Sequence, residues 1–347
     1  MSSYLSGLGY RERGASWGKG EPSGGANDGQ ATKHDKGLDL EESGNGSIRG
    51  GASGSGQAGE GSSTDGMMNA GDSYSSQSIP AQQVPADMFL LRVGPNYGRN
   101  KKKEPSSEAL YDLVAVDICK TPTNRMDNTF DYFKPVLGET GVEGSNIPYS
   151  FVVTANLPQK EPSMFSTPTT GPSFVIIFHF TASATLISEM TNISNGQASP
   201  AVKLLDTWCR EAVDDPNCMG RFKAMCIIDD IEKQGFPGFI SKFNGKPILI
   251  NKSGEVVKYY EGETAGTLVK GDAAGKDCKA INMHINVHVF SYIARKGLFT
   301  LQKSFKTTNL NVAFTIEGRC DEELPEVVLG CCKLSRIEME KFITMGN

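Results

Sequence analysis

Residues 281–289 read Ile-Asn-Met-His-Ile-Asn-Val-His-Val and residues 310–317 read Leu-Asn-Val-Ala-Phe-Thr-Ile-Glu, with the helix-compatible Phe290–Ser304 between them. Ile281, Met283, Ile285, Val287 and Val289 alternate with Asn282, His284, Asn286 and His288. Leu310, Val312, Phe314 and Ile316 alternate in the same way with Asn311, Ala313, Thr315 and Glu317. A period of two places the apolar set on one face of an extended chain and the polar set on the other. The pattern predicts two half-buried strands, joined by a helix, at the centre of one sheet.

Met88–Val93, Leu110–Ile118, Tyr149–Leu157, Phe222–Ile231 and Val327–Leu334 also read as strands. Phe174–Phe180 is almost continuously apolar, the mark of a strand buried on both faces, with His179 inside it as a core histidine. Ile248–Ile250 and Val256–Tyr260 suggest a hairpin around Asn251–Gly254, and Pro158–Pro172 a long loop. One helix is well signalled: Ser199 can cap it, Pro200 suits its first position, and Val202, Leu205, Cys209 and Ala212 form its apolar stripe beside Trp208. Many strands and few helices long enough to be crossovers give an α+β class, a predominantly antiparallel sheet with a few packed helices.

The N-terminal residues differ in kind. Nineteen of the 39 glycines lie in residues 1–80, whose only aromatics are Tyr4, Tyr10, Trp17 and Tyr74. So little apolar surface cannot offset the entropy of ordering, so residues 1–83 are expected to form a disordered Gly/Ser-rich tail and residues 84–347 the folded domain. The tail holds 6 basic and 10 acidic residues, which leaves 29 and 30 in the remainder. That near-neutral balance gives no nucleic-acid footprint. The N-terminus lacks the apolar core of a secretory signal, no window approaches the length of a membrane-spanning helix, and Ser2 excludes myristoylation after the initiator methionine. A cytoplasmic protein is expected, with free thiols at its eight cysteines.

Catalytic constellations find no support. His284 and His288 share a face on a strand but stand about 13 Å apart along it, too far for one metal ion. Asp229-Asp230 and Glu322-Glu323 are adjacent and point to opposite faces when extended. Gly235-Phe-Pro-Gly238 lacks the Lys-Ser/Thr of a phosphate loop, and no Gly-x-Ser-x-Gly elbow accompanies the histidines. The expectation is a chain with no catalytic residues, metal or cofactor. Its binding candidates are basic: the run Arg99, Lys101, Lys102 and Lys103, together with Arg92, Arg221 and Lys223. Lysines near an anionic membrane contribute about 1 kcal/mol each, enough to bias docking. Charges flanking strands otherwise sit solvated or in weak surface pairs.

Phe89-Leu-Leu-Arg92-Val-Gly94-Pro-Asn96-Tyr97, then Lys101–Lys103 and Leu113-Val-Ala-Val-Asp117, resemble the opening of the C-terminal domain of the plant Enhanced Disease Resistance 2 proteins. Phe151-Val-Val-Thr-Ala-Asn156-Leu-Pro158, Arg221-Phe222-Lys223 with Gly245-Lys246-Pro247, and Phe314-Thr-Ile-Glu317-Gly318 follow in that family's order. Glu323-Leu324-Pro325-Glu326 before Leu329-Gly330 is the most specific piece. The chain departs from the family at Asn282, His284 and Asn286, where members carry acidic residues, and at His288, where they carry a small one. In plant members a pleckstrin-homology domain and a START lipid-transfer domain precede this module. The resemblance therefore implies a regulatory module, lipid- or membrane-associated, but no transferable chemistry. The alternative is a protein–protein interaction scaffold whose tail carries phosphorylatable motifs.

Overall fold

The computed structural model describes residues 81–122, 136, 138, 142–165, 169–262, 268–271 and 277–345. The tail expected up to residue 83 lies, through residue 80, outside them. In chain order the elements are β1 (Ala81–Gln82), β2 (Leu90–Arg92), α1 (Tyr97–Asn100), β3 (Lys103–Pro105), β4 (Tyr111–Thr121), β5 (Ser150–Pro158) and β6 (Ser173–Ala182). There follow α2 (Ala184–Met190), α3 (Pro200–Glu211), α4 (Pro216–Met219), β7 (Phe222–Ile228), α5 (Gly238–Ser241), β8 (Ile248–Leu249) and β9 (Gly254–Glu261). Last come β10 (Leu268–Lys270), β11 (Cys278–Asn286), α6 (Tyr292–Gln302), β12 (Leu310–Ile316) and β13 (Val328–Leu334).

Strands β11 and β12 are both central, but in different sheets. β11 lies in a six-stranded sheet of order β10-β9-β11-β5-β6-β4, and β12 in a five-stranded sheet of order β1-β13-β12-β7-β8. Among the described strands the pairing is antiparallel except between β11 and β5, which run parallel from Ala280 beside Ser150 to Asn286 beside Asn156. The α+β class with mainly antiparallel pairing stands; the single sheet does not. An alternation pattern reports which faces a strand presents, not which neighbour it chooses.

The apolar faces of both sheets meet. Phe151, Phe178 and Phe180 of the larger sheet pack with Phe222 and Phe314 of the smaller, and Trp208 of α3 closes the cluster. Phe314 stacks on Phe222 at 5.7 Å and meets Phe178 edge-on at 5.2 Å. Helix α3 enters this core as its stripe demanded: Ser199 Oγ accepts from the Val202 amide, and Val202, Leu205, Trp208, Cys209 and Ala212 are buried.

The faces read as solvated are also covered. Asn282, Thr154, Asn311 and Thr315 are buried, and Thr154 Oγ1 donates to Asn282 Oδ1 at 3.1 Å. The outer face of the smaller sheet carries a second cluster, in which Phe89 and Leu91 of the β2–β3 hairpin cover Met225, Ala313, Val328 and Cys331. His179 is a core histidine, with Nε2 3.1 Å from Asp117 Oδ2. Burial pushes the Cys119 and Cys226 thiols up to about 12, so they act as small apolar groups.

Two local expectations fail. β8 and β9 form no hairpin, because β8 pairs with β7 in one sheet and β9 with β11 and β10 in the other. The chain changes sheets between them, and Gly254 lets it pass where a Cβ would lie 2.5 Å from Met283 and 2.7 Å from Met219. The strand over residues 281–289 stops at Asn286; Val287–Val289 form a 3-10 turn, with Asn286 Oδ1 accepting from the His288 amide. His284 and His288 therefore share no strand face.

Candidate functional site

Three of the seven predicted binding residues converge, and internal carboxylates take them up. Arg92 ends β2, Arg221 and Lys223 flank the start of β7, and the segment 317–326 between β12 and β13 folds over them. Arg92 Nη1 donates to Glu317 Oε1 at 3.0 Å, with its Nε 3.8 Å from Glu326. Arg221 donates to the Glu317 carbonyl through Nε at 2.9 Å and Nη2 at 2.7 Å, and pairs with Glu323. Lys223, 1 % exposed, gives its ammonium to both oxygens of Glu326 at 2.7 and 2.6 Å. Burial pushes the Lys223 ammonium below its ordinary 10.5, against the pull of Glu326. Arg221 and Lys223 are buried and Arg92 is half-buried, and each is paired with a carboxylate of the fold, which leaves them poorly placed as surface contacts for a headgroup.

The same carboxylates hold the backbone. Glu326 Oε1 accepts from the Gly318 amide at 2.9 Å, and Glu323 from the Arg319 amide at 2.7 Å. Both oxygens of Asp321 accept from the Asn96 amide at 2.9 Å, and the Glu326 amide donates to the Arg92 carbonyl at 3.0 Å. Arg92 lies 4.9 Å above the Tyr97 ring. The cluster thus fastens the β2–β3 hairpin to the edge of the smaller sheet. A groove of about 560 Å³ opens beside it, lined by Val93, Gly94, Pro95, Glu104, Leu324 and Pro325 among others.

These carboxylates set an acid limit on stability. Burial opposes ionisation of Glu323, but hydrogen bonds from Arg221 and the Arg319 amide outweigh it and hold the group below its ordinary 4.5. Asp229 is likewise held below 3.8, because bonds from Lys333 and Asn311 overcome its burial. A carboxylate depressed in the folded state contributes stability above its unfolded pKa and loses it as pH falls through the folded one. The urea midpoint should be level above about pH 5 and fall below about pH 4. Glu323→Gln should lower the plateau by about 1 kcal/mol and shrink the fall. An unchanged profile in that variant would remove Glu323 from the account.

The other four candidates lie elsewhere. Arg99, Lys101, Lys102 and Lys103 are exposed at the tip of the β2–β3 hairpin, in and just after the short helix α1. Lys102 reaches Glu104 at 2.5 Å, and Lys101 lies 5.6 Å from the Tyr97 ring centroid. Glu317, Glu323 and Glu326 escaped the sequence reading as partners, although the Glu-Leu-Pro-Glu string was its most specific motif. Their separation of roughly a hundred residues or more from Arg221, Lys223 and Arg92 hid the pairing.

Among the described residues no group of three His, Cys, Asp or Glu could hold a metal ion, and no helix is long and apolar enough to cross a membrane. No curated protein and no solved structure matches the chain. The model of the family described as Protein ENHANCED DISEASE RESISTANCE 2, C-terminal, matches residues 82–338. That span covers the two sheets, the hairpin and the ion-pair cluster, and it places the chain in the Enhanced Disease Resistance 2 C-terminal family.

Proposed function

We propose that this domain is a non-catalytic regulatory module that docks on an anionic membrane surface through the hairpin tip at residues 99–103. The observation that carries the reading is the division of the basic residues. Arg92, Arg221 and Lys223 are neutralised within the fold, whereas Arg99, Lys101, Lys102 and Lys103 stand exposed together on one projecting turn. The cluster beneath gives that turn a fixed base, so its charges meet a surface as a group.

Three lysines at about 1 kcal/mol each bias partition toward an anionic bilayer by roughly a hundredfold. The combined change of Lys101, Lys102 and Lys103 to alanine should therefore cut recovery on phosphoinositide-containing vesicles by about that factor, leaving the unfolding midpoint unchanged. Added salt should weaken the wild type towards the variant. Equal flotation of the two proteins would sink the reading. The outcome would then favour protein docking, for which the short edge strand β8 offers exposed Ile248 and Leu249.

A further inference from the structure

Helix α6 turns a cation inward. Arg295 is 4 % exposed, yet its Nε has no hydrogen-bond partner, and among the described residues its guanidinium has no counter-ion. Buried charges are normally paired, because leaving water without a partner costs more than a marginally stable fold tolerates. Every other buried cation here follows that rule: Lys223 holds Glu326 and Arg221 holds Glu323.

The chain segment around it holds no acidic residue. From Cys278 to Ile316 the chain contains Lys279, Arg295, Lys296, Lys303 and Lys306 and not one Asp or Glu. Lys296 reaches out to Glu161, Lys306 to Glu338, and Lys303 lies over Phe299 at 4.8 Å. Arg295 alone of these is buried.

Next to it the 3-10 turn before α6 places His288, also buried, with Nε2 2.8 Å from Ser173 Oγ. Burial and the neighbouring Arg295 hold that imidazole below its ordinary range, so at neutral pH it is a polar, uncharged wall. The turn and α6 both pack on the end of β5, and further along α6 the Gln302 Nε2 donor is buried without a partner. Orphaned polar atoms in a native fold point to a missing partner that can bond to them.

We propose that Arg295, beside His288 and Ser173, receives a phosphate group. The guanidinium fork matches the geometry of an oxyanion and the absence of carboxylates from this segment favours one of more than unit charge. The group could arrive as free phosphate or on a lipid headgroup. This site uses none of the hairpin lysines, so it stands or falls separately from the docking reading.

The test is thermal unfolding of the full chain in phosphate against chloride at equal ionic strength, with flotation on phosphatidylcholine vesicles with and without phosphatidic acid. Both are run on the wild type and on Arg295→Met, and flotation also in the Lys101–Lys103 alanine background. For a free ion, saturating phosphate raises the wild-type midpoint by about 3 °C or more, and Arg295→Met abolishes the rise. For a lipid headgroup, phosphatidic acid recovers the triple-alanine protein until Arg295→Met is added. Should Arg295→Met not fold, Arg295→Lys takes its place and keeps less than half of the wild-type response. No Arg295-dependent response in either arm, or an undiminished one in the variants, overturns the proposal.

Discussion

Glu326→Gln should destabilise the domain by about 3–5 kcal/mol, measured as a lower urea midpoint at unchanged slope. The glutamine keeps the shape and loses the charge, leaving the Lys223 ammonium buried with no other hydrogen-bond acceptor among the described residues. Arg92 and the Gly318 amide lose strength at the same time. The reciprocal change, Lys223→Met, should cost less, about 1–2 kcal/mol. The remaining carboxylate would still have Arg92 and the Gly318 amide, and a methionine fits among Met225, Val328 and Leu91. The inequality is the sharper statement. If Lys223→Met proves as damaging as Glu326→Gln, the pair acts as an indivisible unit and Arg92 gives the carboxylate no relief.

Phe314→Ala should cost a similar 3–5 kcal/mol, for a different reason. Its ring fills the space between the sheets, touching Phe222, Phe178 and, at 6.1 Å, Phe180. Gly330 of the neighbouring strand sits against the Phe180 ring, where a Cβ would come within 2.7 Å, so backbone already lies close on this side of the core. Little side-chain material is free to collapse into the hole. Phe314→Leu retains most of the volume and should lose about 1–2 kcal/mol. Equal losses in the two variants would mean that ring packing, not volume, dominates at this position.

Local chemistry made much of the chain legible. The periods of β11, β12 and β5, the capped helix α3 with its stripe, the twice-buried β6 and the core role of His179 all follow from neighbours within a few residues. The family motifs were also readable as strings of residues. Three things were not: the sheet each strand joins, the covering of polar faces at Asn282 and Thr315, and the partners of the basic residues. Lys101 and Lys223 look alike in sequence, each a lysine in a short basic stretch near the end of a strand. One is exposed and the other sealed, because Glu326 arrives from 103 residues further along and the β2–β3 hairpin closes over the top. Arg295 was likewise invisible as a buried cation, since its helix shows which side chains share a face but not which face turns inward.

Most of the strands, helix α3, the alternating apolar residues of the core and the family are legible in the chain itself. Tertiary packing alone sets two sheets face to face, engages Arg92, Arg221 and Lys223 with carboxylates of the fold, and leaves Arg99 and Lys101–Lys103 of the basic candidates exposed on one turn. The difference is one of range. Strand period and helix caps are set by steric and hydrogen-bonding terms over a few residues, whereas burial and ion pairing depend on segments brought together from across the chain.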